Sequence, residues 1–193
     1  MTVIYKILIF SFQFSFLFAQ PSKGQKVKNI NTVTTNIEEF NLYEVNKNQP
    51  VLLIFYRGFH SQPCNKFLKN LASIQSLMDE KNILTVVITP DSPLNIEKTQ
   101  QKILLPSQKY VFIHDFDCKI MQDYEVDIPI TKSKENFYKI SGFANNKEHF
   151  ILPMSSTILI DTNQTVLFAY HSKKPRKRPS IKTLADEISK INS

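Results

Sequence analysis

The sequence predicts a layered α/β fold, a mixed sheet with helices on both faces, and three observations carry that prediction. The runs Val51-Leu52-Leu53-Ile54-Phe55-Tyr56 and Ile83-Leu84-Thr85-Val86-Val87-Ile88 are almost continuously apolar, as strands buried on both faces must be. Between them Phe67, Leu71, Ile74 and Met78 recur at helical spacing, with Leu68 and Leu77 widening the stripe. Near the end, Thr157–Ile160 and Val166–Tyr170 flank a polar turn, Asp161 to Gln164, which is the pattern of a hairpin.

The remaining elements follow in order. Lys6, the apolar run Ile7–Phe18 and the small-residue exit Ala19-Gln20 form the three regions of a secretory signal peptide, residues 1–20. The run is too short for a good spanning helix. This implies an exported protein, periplasmic or extracellular. Residues 21–36 are polar and read as a linker, and residues 37–193 as one domain. Phe40 and Leu42 alternate with polar neighbours, which suggests a short edge strand, and Asn46 to Pro50 reads as a turn. Asp91-Ser92-Pro93 starts a helix, a capping residue followed by proline in the first turn. Tyr110–Ile113 is a third strand and Asp115–Tyr124 a short helix. Residues 127–150 read as an insertion adding a short strand or hairpin. Ser180 caps a last helix carrying Ile181, Leu184, Ala185, Ile188 and Ile191. Strand, helix, strand, helix, strand implies parallel strands with right-handed crossovers, and the final hairpin adds antiparallel neighbours.

Composition narrows the function classes. Only three glycines occur, Gly24, Gly58 and Gly142, so a glycine-rich nucleotide-binding loop is not expected. The net charge is +7, and loss of residues 1–20 removes one lysine and no acid, leaving +6. Much of the excess sits in Lys173, Lys174, Arg176, Lys177 and Arg178, read as a solvated loop broken by Pro175 and Pro179. No aromatic residues interleave that run, so nucleic acid is not an expected partner. His60, His114, His149 and His171 are scattered, so neither a metal nor another cofactor is expected. Asn163-Gln164-Thr165 matches a glycosylation sequon that chance alone often produces.

The chemistry concentrates in Phe55-Tyr56-Arg57-Gly58-Phe59-His60-Ser61-Gln62-Pro63-Cys64-Asn65, between a buried strand and an amphipathic helix. This stretch resembles a branch of the alkyl hydroperoxide reductase C / thiol-specific antioxidant family that carries Phe-Tyr-Arg-Gly-x-Trp-Cys-Pro-x-Cys-Asn at that junction. Phe55, Tyr56, Arg57, Gly58, Cys64 and Asn65 match. Thr89-Pro90-Asp91-Ser92-Pro93, Asp115 to Val126 and Leu152 to Asp161 resemble the family's following segments in order, so the likeness spans roughly residues 24–191. It implies a thioredoxin-like three-layer α/β/α sandwich, an antioxidant thiol oxidoreductase acting on peroxide or disulfide substrates, and an exported thiol protein as reductant.

Four positions depart from the family pattern. Its first cysteine falls on Ser61, its tryptophan on His60, the proline after the first cysteine on Gln62, and the proline before the fourth core strand on Ser155. A serine hydroxyl cannot cycle through sulfenic acid and disulfide. The redox candidate is therefore Cys64, as a one-cysteine variant, with Arg57, His60 and Ser61 as the other candidate site residues. A place in the first turn of a helix favours the thiolate, and Arg57 or His60 nearby would add to that effect. The alternative is an inert Cys64 half buried against the sheet, with Ser61 an ordinary helix cap, in a non-catalytic binding or scaffold domain. Cys118 reads as a small core residue rather than a disulfide partner, because the resemblance implies that the two helices lie on different faces of the sheet.

Overall fold

The computed structural model describes residues 20–108, 110–129, 151–174 and 177–191. The expected signal peptide, apart from Gln20, and the interior of the 127–150 insertion lie outside the described residues. Nine strands are described: β1 Asn31–Val33, β2 Glu39–Asn41, β3 Val51–Phe55, β4 Leu84–Thr89, β5 Tyr110–His114, β6 Asp127–Pro129, β7 Ile151–Pro153, β8 Thr157–Ile160 and β9 Val166–Tyr170. The helices are α1 Leu42–Asn46, α2 Gln62–Asn70, α3 Gln75–Glu80, α4 Pro93–Lys102, α5 Lys119–Asp123 and α6 Ile181–Ile188.

Five strands form the central sheet in the order β5-β4-β3-β8-β9. β3 runs parallel to β4 and β4 to β5, while β8 lies antiparallel to both β3 and β9. The sheet is mixed, as the sequence predicts. Strand periodicity divides its side chains cleanly. Val51, Leu53, Phe55, Val86, Ile88, Ile113, Ile158 and Ile160 enter one core, together with Phe40, Leu42, Met121 and Tyr124. Leu52, Ile54, Val87, Phe112 and Leu159 enter the other, with Phe67, Leu68 and Leu71, Ile96 of α4, and Leu184 and Ile188 of α6. Every β3 residue is fully buried because both faces are covered, which is why that run lacks alternation.

Several local features differ from the expectation. The single helix over Phe67–Met78 is broken into α2, a 3-10 turn at Leu71–Ile74, and α3. At the break the Ser73 hydroxyl donates to the Asn70 carbonyl at 2.8 Å, a back-bond of the kind that bends helices. The linker assignment for 21–36 gives way: Val27 and Ile30 are buried in the core, and β1 pairs with β2 as a separate hairpin. Its sparse apolar residues are anchors, too few to form a pattern. The short helix after β5 starts at Lys119 rather than Asp115. Asp115 instead caps it, its carboxylate accepting the Ile120 and Met121 N–H groups at 3.0 Å each. The short helix α1 was not expected; the Asn41 side chain caps it by accepting the Glu44 N–H at 3.2 Å. β6 and β7, which bracket the 127–150 insertion, pair antiparallel. Asn163 sits exposed in the β8–β9 turn. Among the described residues no helix is long and apolar enough to cross a membrane.

Candidate active site

The C-terminal ends of β3 and β4 and the start of α2 meet at one end of the sheet. β3 delivers Tyr56 and Arg57, both buried. Gly58 follows with φ 116°, in the left-handed region that favours glycine, and the Ser61 N–H closes the turn on the Gly58 carbonyl at 2.9 Å. Pro63 fits the first turn of α2, and Cys64 beside it is 1% exposed.

Three donors converge on the Cys64 sulfur. The Ser61 hydroxyl lies 3.0 Å from Sγ and a guanidinium nitrogen of Arg178 lies 3.1 Å from it. The third is the backbone N–H of Arg57. Burial alone pushes a thiol up, but the positive charge of Arg178 and these hydrogen bonds outweigh it, so Cys64 is held below the ordinary thiol value. Arg178 is itself fixed, donating to the Phe55 carbonyl at 2.7 Å and the Ser156 carbonyl at 3.2 Å, with its guanidinium 5.6 Å from the centre of the Phe67 ring.

A second hydrogen-bonded array supports the Gly58–Ser61 turn. The Phe59 N–H donates to the Asp91 carboxylate at 2.7 Å, and the Asn65 side chain donates to the Phe59 carbonyl at 2.7 Å. Asn65 in turn accepts from the Tyr56 hydroxyl, which also lies 3.2 Å from the Thr99 hydroxyl. Tyr56 and Asn65 of the signature are therefore braces for the turn.

The structure brings Ser61 and Cys64 together, and Ser61 is not an ordinary cap. It occupies the N-cap position without a side-chain cap bond and spends its hydroxyl on the sulfur. Arg57 acts on the sulfur through its backbone, and the guanidinium that reaches Sγ is that of Arg178. His60 is exposed on the rim of a surface depression shared with Ser61, Gln62, Pro63 and Lys66. Arg178 was grouped with the solvated basic loop. Lys173, Lys174 and Lys177 of that loop are exposed as read, whereas Arg178 turns inward. The one signal available was Pro179 after it, which stiffens the approach to α6.

Ser155, where the family has proline, is buried, and its N–H donates to the Ser172 carbonyl at 3.1 Å. Both cysteines are free, and they lie in the two different cores, on opposite faces of the sheet. Burial first, then Asp115, Asp117 and Asp127, push the Cys118 thiol up to about 12.

A pH prediction follows from these two shifts. The folded pKa of Cys64 lies below its unfolded value of about 8.5, so its contribution to stability is present above that pH and lost as pH falls through the folded pKa. Cys118 has the opposite sign and costs stability above about 8.5. It does so equally in wild type and in Cys64→Ser. The difference in urea midpoint between the two proteins should therefore shift in favour of wild type from about pH 6 to about pH 9. A pH-independent difference would contradict the placement of Arg178.

The AhpC/TSA family model matches residues 23–169, and the chain belongs to that family. Solved structures agree on the fold. Peroxidoxin BcpB from Mycobacterium tuberculosis is 16% identical with a TM-score of 0.67, over 90% of this chain and 100% of that one. The yeast mitochondrial 1-Cys peroxiredoxin is 14% identical with a TM-score of 0.66, over 86% and 74% of the two chains. A cysteine-to-serine mutant of peroxiredoxin 6 from Arenicola marina is 9% identical with a TM-score of 0.70, over 87% and 72%. The fold is thus the thioredoxin-like sandwich of the peroxiredoxins. No curated protein sequence matches the chain.

Proposed function

We propose that this protein is an exported, peroxiredoxin-like thiol peroxidase that works from Cys64 as a one-cysteine enzyme. The observation that carries the reading is the set of three donors on one buried sulfur, including the charged guanidinium of Arg178. Such a set stabilises a thiolate, and a guanidinium beside the sulfur can also stabilise the charge that develops on a peroxide oxygen during attack. The export rests on the signal-peptide pattern of residues 1–20.

The thiolate sulfur attacks one peroxide oxygen and the O–O bond breaks. The second oxygen leaves as hydroxide or alkoxide and takes a proton from water, and Cys64 becomes a sulfenic acid. An external thiol then forms a mixed disulfide with release of water, and a second thiol restores Cys64. The reductant is an exported thiol protein, since Cys118 is on the wrong face of the sheet to serve. The yeast 1-Cys peroxiredoxin is resolved through glutathione and thioredoxin systems, a chemistry that suits this site equally. Ser61 takes the role of donor rather than of a second redox group.

The test is trapping. Residues 21–193 treated with equimolar hydrogen peroxide and dimedone should yield one adduct, on Cys64, with Cys64→Ser as the blank. Absence of the adduct, with Cys64 labelled by maleimide only after unfolding, would mean a non-catalytic domain of the same fold.

A further inference from the structure

Two of the three donors on Cys64 stand at the two ends of one turn. The Arg57 N–H is at its start and the Ser61 hydroxyl at its end, so the position of the intervening backbone decides whether both point at the sulfur. At its centre is Phe59, whose backbone is held from both sides. Its carbonyl accepts from Asn65, which belongs to the same helix as Cys64, and its N–H donates to Asp91, which belongs to the loop after β4. Asp91 is 1% exposed and its second carboxylate oxygen accepts from the Asn95 side chain at 2.8 Å, while its own N–H donates to the Thr89 hydroxyl at 3.2 Å. A buried carboxylate with both oxygens engaged is costly to place, and hydrogen bonding on both sides is what holds it there. It ties the turn to the end of β4 by a route that does not pass through α2.

Taking Cys64 as the reacting thiol, as proposed above, we propose that Asp91 is a positioning residue of this site, clamping the Phe59 backbone through its N–H so that the Arg57 N–H and the Ser61 hydroxyl both meet the sulfur. It touches neither the sulfur nor a substrate; it acts through the turn.

The test compares Asp91→Ala with Asp91→Asn in the mature protein, by the pH profile of iodoacetamide labelling of Cys64 and by the rate with hydrogen peroxide. Losing well-aimed donors should move the labelling midpoint of Asp91→Ala up by about one pH unit and slow the peroxide reaction about tenfold at neutral pH. Asp91→Asn should restore both to within about twofold, because its carbonyl can accept the Phe59 N–H and Asn95 can rotate its amide to meet the new donor. Should Asp91→Ala fail to fold, Asn65→Ala releases the carbonyl side of the same residue, Phe59, and is read in the same way. A labelling midpoint unchanged in a folded variant, with only the melting temperature lowered, would overturn the proposal. Failure of the wild type to react with peroxide would strike the peroxidase reading alone, since the labelling midpoint is measured without peroxide.

Discussion

Replacing Arg178 with methionine should raise the labelling midpoint of Cys64 by about one to two pH units and slow its reaction with hydrogen peroxide roughly a hundredfold or more. The guanidinium is the only full charge within hydrogen-bond distance of the sulfur among the described residues, at 3.1 Å. A hydrogen bond to a charged group contributes about 1.5–3 kcal/mol, which at about 1.4 kcal/mol per unit is the shift given. The rate loss exceeds the thiolate loss because, in the proposed reaction, a guanidinium beside the sulfur also stabilises the charge that develops on the leaving oxygen. Arg178→Lys should recover only part of this. An ammonium is a single point of charge, whereas the guanidinium fork reaches Phe55 O, Ser156 O and Sγ together. The check is iodoacetamide labelling against pH alongside stopped-flow oxidation. An unchanged midpoint in folded Arg178→Met would place the source of thiolate stabilisation elsewhere.

The second large effect is expected from Ser61→Cys. With the serine oxygen 3.0 Å from Sγ, a sulfur introduced there stands within easy reach of bonding to Cys64. Hydrogen peroxide should then convert the protein to an internal disulfide, detected as the loss of two hydrogens by mass. The dimedone adduct should fall roughly tenfold or more, because an intramolecular thiol outcompetes an added trap. The variant should also turn over faster than the wild type with a dithiol reductant. Persistence of the full adduct would show that position 61 does not face the sulfur in solution.

Much of the scaffold was legible because burial on both faces leaves a simple trace. The unbroken run Val51–Phe55 and the run ending at Ile88 gave two central strands, and the capping serines Ser92 and Ser180 marked their helices, accepting the Asn95 and Thr183 N–H groups at 3.3 and 3.0 Å. Less legible were features made by a single side chain. The break after α2 turns on the hydroxyl of Ser73, and nothing in the apolar stripe signals it. Val27 and Ile30 anchor a segment whose composition looks like a linker.

At the site, the signature marked Cys64 and the turn before it, since that stretch is contiguous. Arg178 was hidden for the opposite reason. It lies 114 residues away along the chain, among lysines that do face water, and only the packing of α6 against the 3-10 turn and α3 brings the segment before it to the sulfur. Ser61 was visible but its role was not. Serine before a helix normally caps it, and the choice between backbone and thiol depends on an angle no spacing encodes.

The sheet between Cys64 and Cys118 also sets a limit on what one molecule can carry. Two hydrophobic cores and a layer of strands separate the sulfurs, so oxidising equivalents taken up at one thiol have no route to the other within the chain. In the proposed one-cysteine reaction each turnover would therefore end in an encounter with a second molecule. The standing oxidation level of Cys64 would then read out the local supply of donor thiols, and in a compartment starved of them the protein would become a stoichiometric scavenger that stops after one event.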